Sequence, residues 1–465
     1  MKIRVDRGSL VAGLKTLKAA AAVRGRRGKL KPVLNSARLT VDRGGLTVAA
    51  TDLETAAAFR VQADECDEPA GRVERLIDLA LLERLARETA KTPTIAIEFP
   101  AGGGCRVDAL ATLPEPADAA EFPAVDELES RGGNWRTVAT WLGLGGELET
   151  AINAVEFATD TNASRYALGA VLLEFRRDQP TIEQLATAAT ELAAIATDGR
   201  RISIARAVGG LNPPEFPGDR ISAALRFAEP FAAFLLPAKA AAAFAECAHS
   251  RRGDRVVLLE IIERQPAAEP AAAGNSEPVN QAAEPARVDR RLRLTVADRR
   301  GNVLAVLTSR EIDGRFPNWR AVFRENQPAT EPAAAGWLAA DGSTVDALRS
   351  IVRIAAADCR CVRLAVRGGE RGGGLAIYRN RSERVKLCGK FGARMNGSPR
   401  WFSVAVNPDL LLPWLIETQP LSAGFVGGWL FSQSRKDGAI AFSTGGGSRE
   451  FLIMPLAVDR PRRRK

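Results

Sequence analysis

The feature that most constrains this chain is a pattern that recurs three times: a helix, alternating strands, then a strand running into a second helix. The first copy opens with DRGSLVAGLKTLKAA, where Leu10, Leu14 and Leu17 recur at helical spacing. Strands follow in ARLTVDRGGLTVAATDLETAAAFRVQA, with Arg43, Gly44 and Gly45 marking a turn. A second helix is expected over LIDLALLERLARETA, and alternation resumes in TIAIEFPAGGGCRVDALATLP. The second copy runs from GELETAINAVEFATD through YALGAVLLEF, LAAIATDGRRISIARA and FLLPAKAAAAFAECA, with strands ending near SREIDGRFPNWRAVF. The third runs from GSTVDALRSIVRIAA through CVRLAVRGG, LAIYRNR and FSVAVNPDLLLPWLIE to REFLIMPLAV. Each copy carries amphipathic helices and half-buried strands, so each must lay helices on a sheet, which predicts an α+β fold in three tandem units.

The seams are compositional. PEPADAAEFPAVDELESRGG (114–133) and RENQPATEPAAAG (324–336) read as Pro/Ala/Glu-rich connectors, which sets units at 1–129, 130–326 and 327–458. A similar stretch at 264–287 falls between two strand patterns of the second unit and reads as a disordered hairpin insertion. The basic run DRPRRRK forms a tail at 459–465. Hydrophobic content of 46% with 26% charged residues is that of a soluble globular protein. No run approaches the roughly 20 apolar residues of a membrane span. The opening MKIRVDRGSL is charged where a signal peptide needs an apolar stretch, so a cytoplasmic location is expected.

Catalytic and metal motifs are scarce. None of the six cysteines (Cys66, Cys105, Cys247, Cys359, Cys361, Cys388) forms a CxxC pair, and His249 is the only histidine. No zinc site and no cofactor are expected; the cysteines read as small buried residues. There is no phosphate loop and no GxSxG elbow. ATDLE (50–54) and ATDGR (196–200) each place an aspartate directly after a strand, which suits a turn better than an acid catalyst.

What stands out is cations. The chain carries a net +10, and lysines and arginines recur on the helices: Lys15 and Lys18, then Arg84, Arg87 and Lys91, then Arg349 and Arg353. VRGRRGKLK adds Arg24, Arg26, Arg27, Lys29 and Lys31. For one helix alone, solvation of a surface explains such residues. Their repetition across copies points to a shared face for a polyanion, bound through phosphate without reading bases.

MKIRVDRGSL, ATDLE, SRYALGAVLLEF, ATDGRRIS, DGRFPNWRAV and FLIMPL resemble, in order and spacing, the bacterial sliding clamps, the β subunits of replicative DNA polymerase III. The resemblance spans Met1 to Val458. It implies three tandem clamp domains per chain, two helices against antiparallel sheets in each, closing head-to-tail with a second copy into a ring around duplex DNA. It implies a processivity factor without catalytic activity, cytoplasmic and nucleoid-associated. Its partners would be sequence-independent duplex DNA, the polymerase III α subunit, the clamp loader, and repair polymerases and ligase.

A groove between the second and third domains would take a peptide rich in Gln, Leu and Phe. Carried over by motif, it uses Leu168, Thr197, Gly199, Arg200, Arg201, Ile202, Pro317, Val322, Leu452, Ile453, Met454, Pro455 and Leu456. The DNA-facing set implied by the resemblance is Lys15, Arg24, Arg26, Arg27, Lys29, Arg84, Arg87, Asn162, Tyr166, Lys239, Arg349 and Arg353. Leu110 and Ile354 would supply the dimer contact. The chain departs from the pattern at Leu79-Ala80, Ala167 and Ala321, and in its insertion and tail. These departures leave a second reading, a clamp-derived paralogue or DNA-binding adaptor with specialised partners.

Overall fold

A computed structural model describes the chain apart from residues 22–31, 43–44, 68–71, 89–91, 109–110, 124–134, 161–165, 178–187, 210–229, 250–254, 266–287, 327–333, 340–341, 359–360, 368–372, 380–385, 392, 396–400, 418–427, 434–437, 445–447 and 457–465. Its helices are α1 (Arg7–Ala21), α2 (Leu79–Glu88), α3 (Gly145–Glu156), α4 (Ala238–Ala248), α5 (Trp319–Asn326), α6 (Gly342–Asp358) and α7 (Pro408–Glu417).

The periodicity of α1 works as expected: Leu10, Leu14 and Leu17 are fully buried. On α3, Leu148, Ile152 and Val155 make the same stripe. The alanine-rich α4 buries Ala240, Ala241, Phe244 and Ala248, and its small side chains let α3 pack closely. Helices pair as α1 with α2, α3 with α4, and α6 with α7. α1 also touches α4, and α3 touches α7, so six helices form one row: α2, α1, α4, α3, α7, α6.

Behind the helices the strands are almost wholly antiparallel, and two ladders cross between units. Strand Thr55–Cys66 pairs with Val303–Arg310, with Thr55 opposite Ser309. Strand Arg201–Val208 pairs with Arg449–Ile453, with Arg201 opposite Ile453. The sheets therefore run through the seams. The core of the first two units is continuous, from Ile3 to Leu307. The third has its own core around Trp414, which stacks on Phe451 with ring centroids 5.3 Å apart.

The sequence expectations need correcting in several places. The second helix of the first unit starts at Leu79, because Val73–Asp78 is a strand and Asp78 Oδ1 caps the helix by accepting from the Leu81 amide at 2.8 Å. On that helix Leu81 is exposed and Glu83 is buried, the reverse of simple amphipathicity. The segment read as a strand end at NWRAVF is α5, and the last three residues of the expected connector, 334–336, open the strand Ala334–Ala339. Strands Ala170–Arg176 and Glu191–Thr197 are buried along their whole length instead of alternating, since both faces are covered. Cys105 and Cys247 are buried, but Cys66 and Cys361 are only half-buried. The 129/130 seam and nearly all of the 264–287 insertion lie outside the described residues, as does the 459–465 tail.

Candidate functional site

The TDG turn sits between strands Glu191–Thr197 and Arg201–Val208. Thr197 Oγ1 accepts from the Gly199 amide at 3.1 Å and donates to the Arg201 carbonyl at 2.7 Å. Asp198 Oδ1 accepts from the amides of Arg200 (2.9 Å) and Arg201 (3.0 Å). Gly199 has φ of 83°, a conformation that costs any side chain strain. Asp198 is thus occupied by its own turn, as an Asx residue is, and also holds Arg201 Nε at 3.0 Å.

Arg201 does not reach outward. It is buried, with Nη1 donating to the Leu410 carbonyl of α7 at 3.0 Å, and its guanidinium lies 5.2 Å from the Phe157 ring centre. Desolvation holds its pKa below the usual arginine range despite Asp198. It ties the turn to both the second and third units, so its side chain does not face outward as a groove cation would, whereas that of its neighbour Arg200 is exposed.

An apolar surface gathers beside the turn. Ile202, Leu452 and Val322 pack in one cluster with Trp319, Phe323, Ala170 and Leu172. Strand alternation sends Ile453 the other way, into the third unit's core, so its side chain is not on this surface. Past the strand, the Met454 amide donates to the Arg200 carbonyl at 2.9 Å and the Leu456 amide to the Ala405 carbonyl at 2.9 Å. Met454 is 46% exposed and Leu456 37%, apolar side chains open to solvent over a buried apolar floor. Pro317 is exposed, Pro455 half-buried and Leu168 buried. The loop before Pro317 rests on the 166–169 turn: a Cβ on Gly314 would stand 3.2 Å from that of Ala167.

The residues that hold α5 against this surface were not singled out from the sequence. Glu174, buried in its strand, accepts from Trp319 Nε1 (3.0 Å), from Arg320 Nη1 (2.8 Å) and Nη2 (2.7 Å), and from Arg176. Arg176 also pairs with Glu191 at 3.2 Å, and Arg206 with Glu450 at 2.8 Å across the seam. Burial pushes Arg206 down to about 10. Three buried arginines balance three buried glutamates, so α5 and the third unit's last strand are both fixed by charge as well as by packing. The signal available was the clustering of Glu174 and Arg176 inside an apolar strand, where neither belongs unpaired.

On the helix row the cations are largely partnered. Lys15 pairs with Glu246 of α4 at 2.5 Å, Lys18 with Glu83 at 2.8 Å, Arg87 with Glu83 at 2.6 Å and Arg84 with Glu88 at 2.8 Å. Lys239 pairs with Asp52 at 2.6 Å. Arg353 is exposed on α6. Arg349 is not on a polyanion-facing surface: it is buried, and Nε donates to the Leu415 carbonyl at 3.0 Å, satisfying the C-terminal end of α7. Arg24, Arg26, Arg27, Lys29, Asn162 and Leu110 lie outside the described residues, and so does the side chain of Tyr166. Ile354 is 45% exposed on α6. Among the described residues no cluster of three metal-ligating side chains exists, and no helix is long and apolar enough to cross a membrane.

No known family model matches the chain, and no curated protein matches it in sequence. Solved structures do match. The DNA polymerase sliding clamp of Pseudomonas aeruginosa aligns with 98% of this chain and all of its own at 18% identity and a TM-score of 0.65. The beta sliding clamp of C. crescentus aligns over the same shares at 20% identity and a TM-score of 0.65. A P. aeruginosa sliding clamp solved with griselimycin bound reaches 0.66 at 18% identity. The chain has the sliding-clamp fold from end to end, and the resemblance read from ATDGR, DGRFP and the MP pair holds at the level of the fold.

Proposed function

We propose that this chain is a non-catalytic DNA tether: two copies close head-to-tail into a ring around duplex DNA, and the face beside the TDG turn holds short peptides of polymerases and other replication and repair proteins. The single observation that carries this reading is the continuous row of six helices, α2 to α6, on a clamp fold matched over its full length. Among the edge strands, one in the first unit and one in the third suit closure. Strand Ala111–Leu113 pairs only with Cys105–Val107, and strand Lys386–Phe391 only with Gly373–Arg379, among the described residues. Such open edges invite pairing with another chain, and Ile354 stands exposed on the terminal helix of the row.

The ion pairs on the helices fit sliding. A lysine already shared with a glutamate makes a weak phosphate contact, and weak contacts let a ring move. The peptide face offers what a short motif needs: exposed Met454 and Leu456, an apolar floor of Ile202, Val322 and Leu452, and Arg200 at the rim. Met454 is deformable enough to serve related peptides.

Loading the protein onto nicked circular DNA and then cutting the circle tests this reading. Retention on the circle and release on linearisation are expected. The same pairing of cations also favours a second reading, an adaptor derived from a clamp that no longer encircles DNA. Equal, salt-sensitive retention on circular and linear DNA would select that reading over the ring.

A further inference from the structure

The turn at 197–201 has a counterpart at 51–55, bond for bond. Thr51 Oγ1 accepts from the Leu53 amide (2.9 Å) and donates to the Thr55 carbonyl (2.9 Å). Asp52 Oδ1 accepts from the amides of Glu54 (3.1 Å) and Thr55 (2.7 Å). The chain beyond repeats as well. The Arg310 amide donates to the Glu54 carbonyl at 2.9 Å, as Met454 does to Arg200, and Ile312 donates to Leu235 at 3.0 Å, as Leu456 does to Ala405. The seam between the first and second units is therefore built like the peptide face between the second and third, with Arg310 in the place of Met454 and Leu53 in the place of Gly199.

A cavity of about 240 Å³ opens at this seam, lined by Leu53, Glu54, Arg291, Ser309 and Arg310 among others. Two of these residues are unexplained by folding. Leu53 has φ of 77°, where the equivalent turn uses glycine, yet its side chain is 51% exposed and buries nothing in the core. Arg310 is exposed, and its guanidinium has no hydrogen bond or ion pair among the described residues. Arg291 adds a second cation, held by Asp289 at 3.1 Å and stacked 4.9 Å from the Trp135 ring centre.

We propose that this cavity is a second peptide-docking site, for a short extended segment of a partner protein in which a carboxylate neighbours an aliphatic side chain. Leu53 supplies the apolar contact and Arg310 the cation, with Arg291 behind it. Glu54 on the rim disfavours a wholly acidic run and selects a single carboxylate set among apolar residues. The inference extends the peptide-docking reading of the TDG face through the internal repeat, and it does not depend on ring closure.

The test is fluorescence anisotropy of the full chain with labelled Gly-Leu-Asp-Leu, amide-capped, against the same peptide carrying Asn for Asp. The Asp peptide is expected to bind at least fivefold more tightly than the Asn peptide. Arg310→Ser should weaken it at least fivefold and Leu53→Gly at least threefold, with no loss of melting temperature, while Met454→Ser leaves it unchanged. No binding, or equal binding of the Asn peptide, overturns the proposal. If Met454→Ser abolishes binding and Arg310→Ser does not, the peptide sits on the TDG face; the second site then fails while the reading of that face stands. Binding that arises only after removal of residues 124–130 would assign the cavity to the chain's own acidic stretch. Loss of the dimer in Arg310→Ser would assign it to a second copy. Either result overturns a partner peptide.

Discussion

Replacing Glu174 by alanine removes the one carboxylate that Trp319, Arg320 and Arg176 share. Arg176 keeps Glu191 at 3.2 Å. Arg320 has both terminal nitrogens on Glu174, so its buried guanidinium loses the carboxylate that ties α5 to the strand. Breaking a buried pair in this way costs about 3–5 kcal/mol. The loss falls on the docking of α5, which raises the local opening of residues 319–326 by roughly two to four orders of magnitude at 1.4 kcal/mol per factor of ten. Native-state hydrogen exchange of those amides reads this directly, and because α5 carries Val322, peptide affinity at the TDG face should fall with it. Adding Arg320→Met to Glu174→Ala should recover at least half of the loss, since replacing both members of the pair by apolar groups removes the buried charge along with its carboxylate. Less than tenfold faster exchange in Glu174→Ala, or no recovery in the double variant, would refute the claim that charge fixes this helix.

Further outcomes rest on the same geometry. Met454→Ser should weaken a polymerase-derived peptide by about 2 kcal/mol, or roughly 30-fold, by calorimetry, with the dimer unchanged. Gly199→Ala should lower stability by about 1–2 kcal/mol in urea unfolding because no Cβ neighbour relieves or worsens the positive φ, so the cost is backbone strain alone; Leu53→Gly should raise stability by up to about 1 kcal/mol for the mirror-image reason. Glu156 is held above its ordinary pKa of 4.5 by burial first and by Glu417 second. A raised carboxyl favours the fold below that ordinary value and loses this advantage as pH rises through the folded one, so Glu156→Gln should raise the melting temperature at pH 7 and leave it unchanged at pH 4. Ile354→Arg should lower dimer content in a concentration series while the melting profile of the monomer is retained.

The sequence made some of this legible because the physics was local. Leu10, Leu14 and Leu17 announce a buried helix face through spacing alone, and the Thr-Asp-Gly order announces a turn whose bonds stay within five residues. The apolar residues that gather beside the turn were also readable, since Ile202, Leu452 and Met454 sit in distinctive motifs. What stayed hidden depends on partners far along the chain. Arg349 and Arg353 look alike on a helix, yet one is drawn inward by the Leu415 carbonyl 66 residues away. Arg201 reads as a rim cation until Leu410 and Asp198 are seen to hold it. The α5 helix was missed because its eight residues are fixed by Glu174 rather than by their own propensity. The cations of α1 and α2 were legible as charges but not as ion pairs, because their glutamate partners stand on neighbouring turns and helices.

Every topological statement above requires that the ends of one chain meet those of a second. Sedimentation equilibrium across a hundredfold range of concentration tests this most directly. The account predicts one species of twice 49.8 kDa with nothing larger, as a closed pair of chains demands. A monomer, or a ladder of open head-to-tail oligomers growing with concentration, would contradict it.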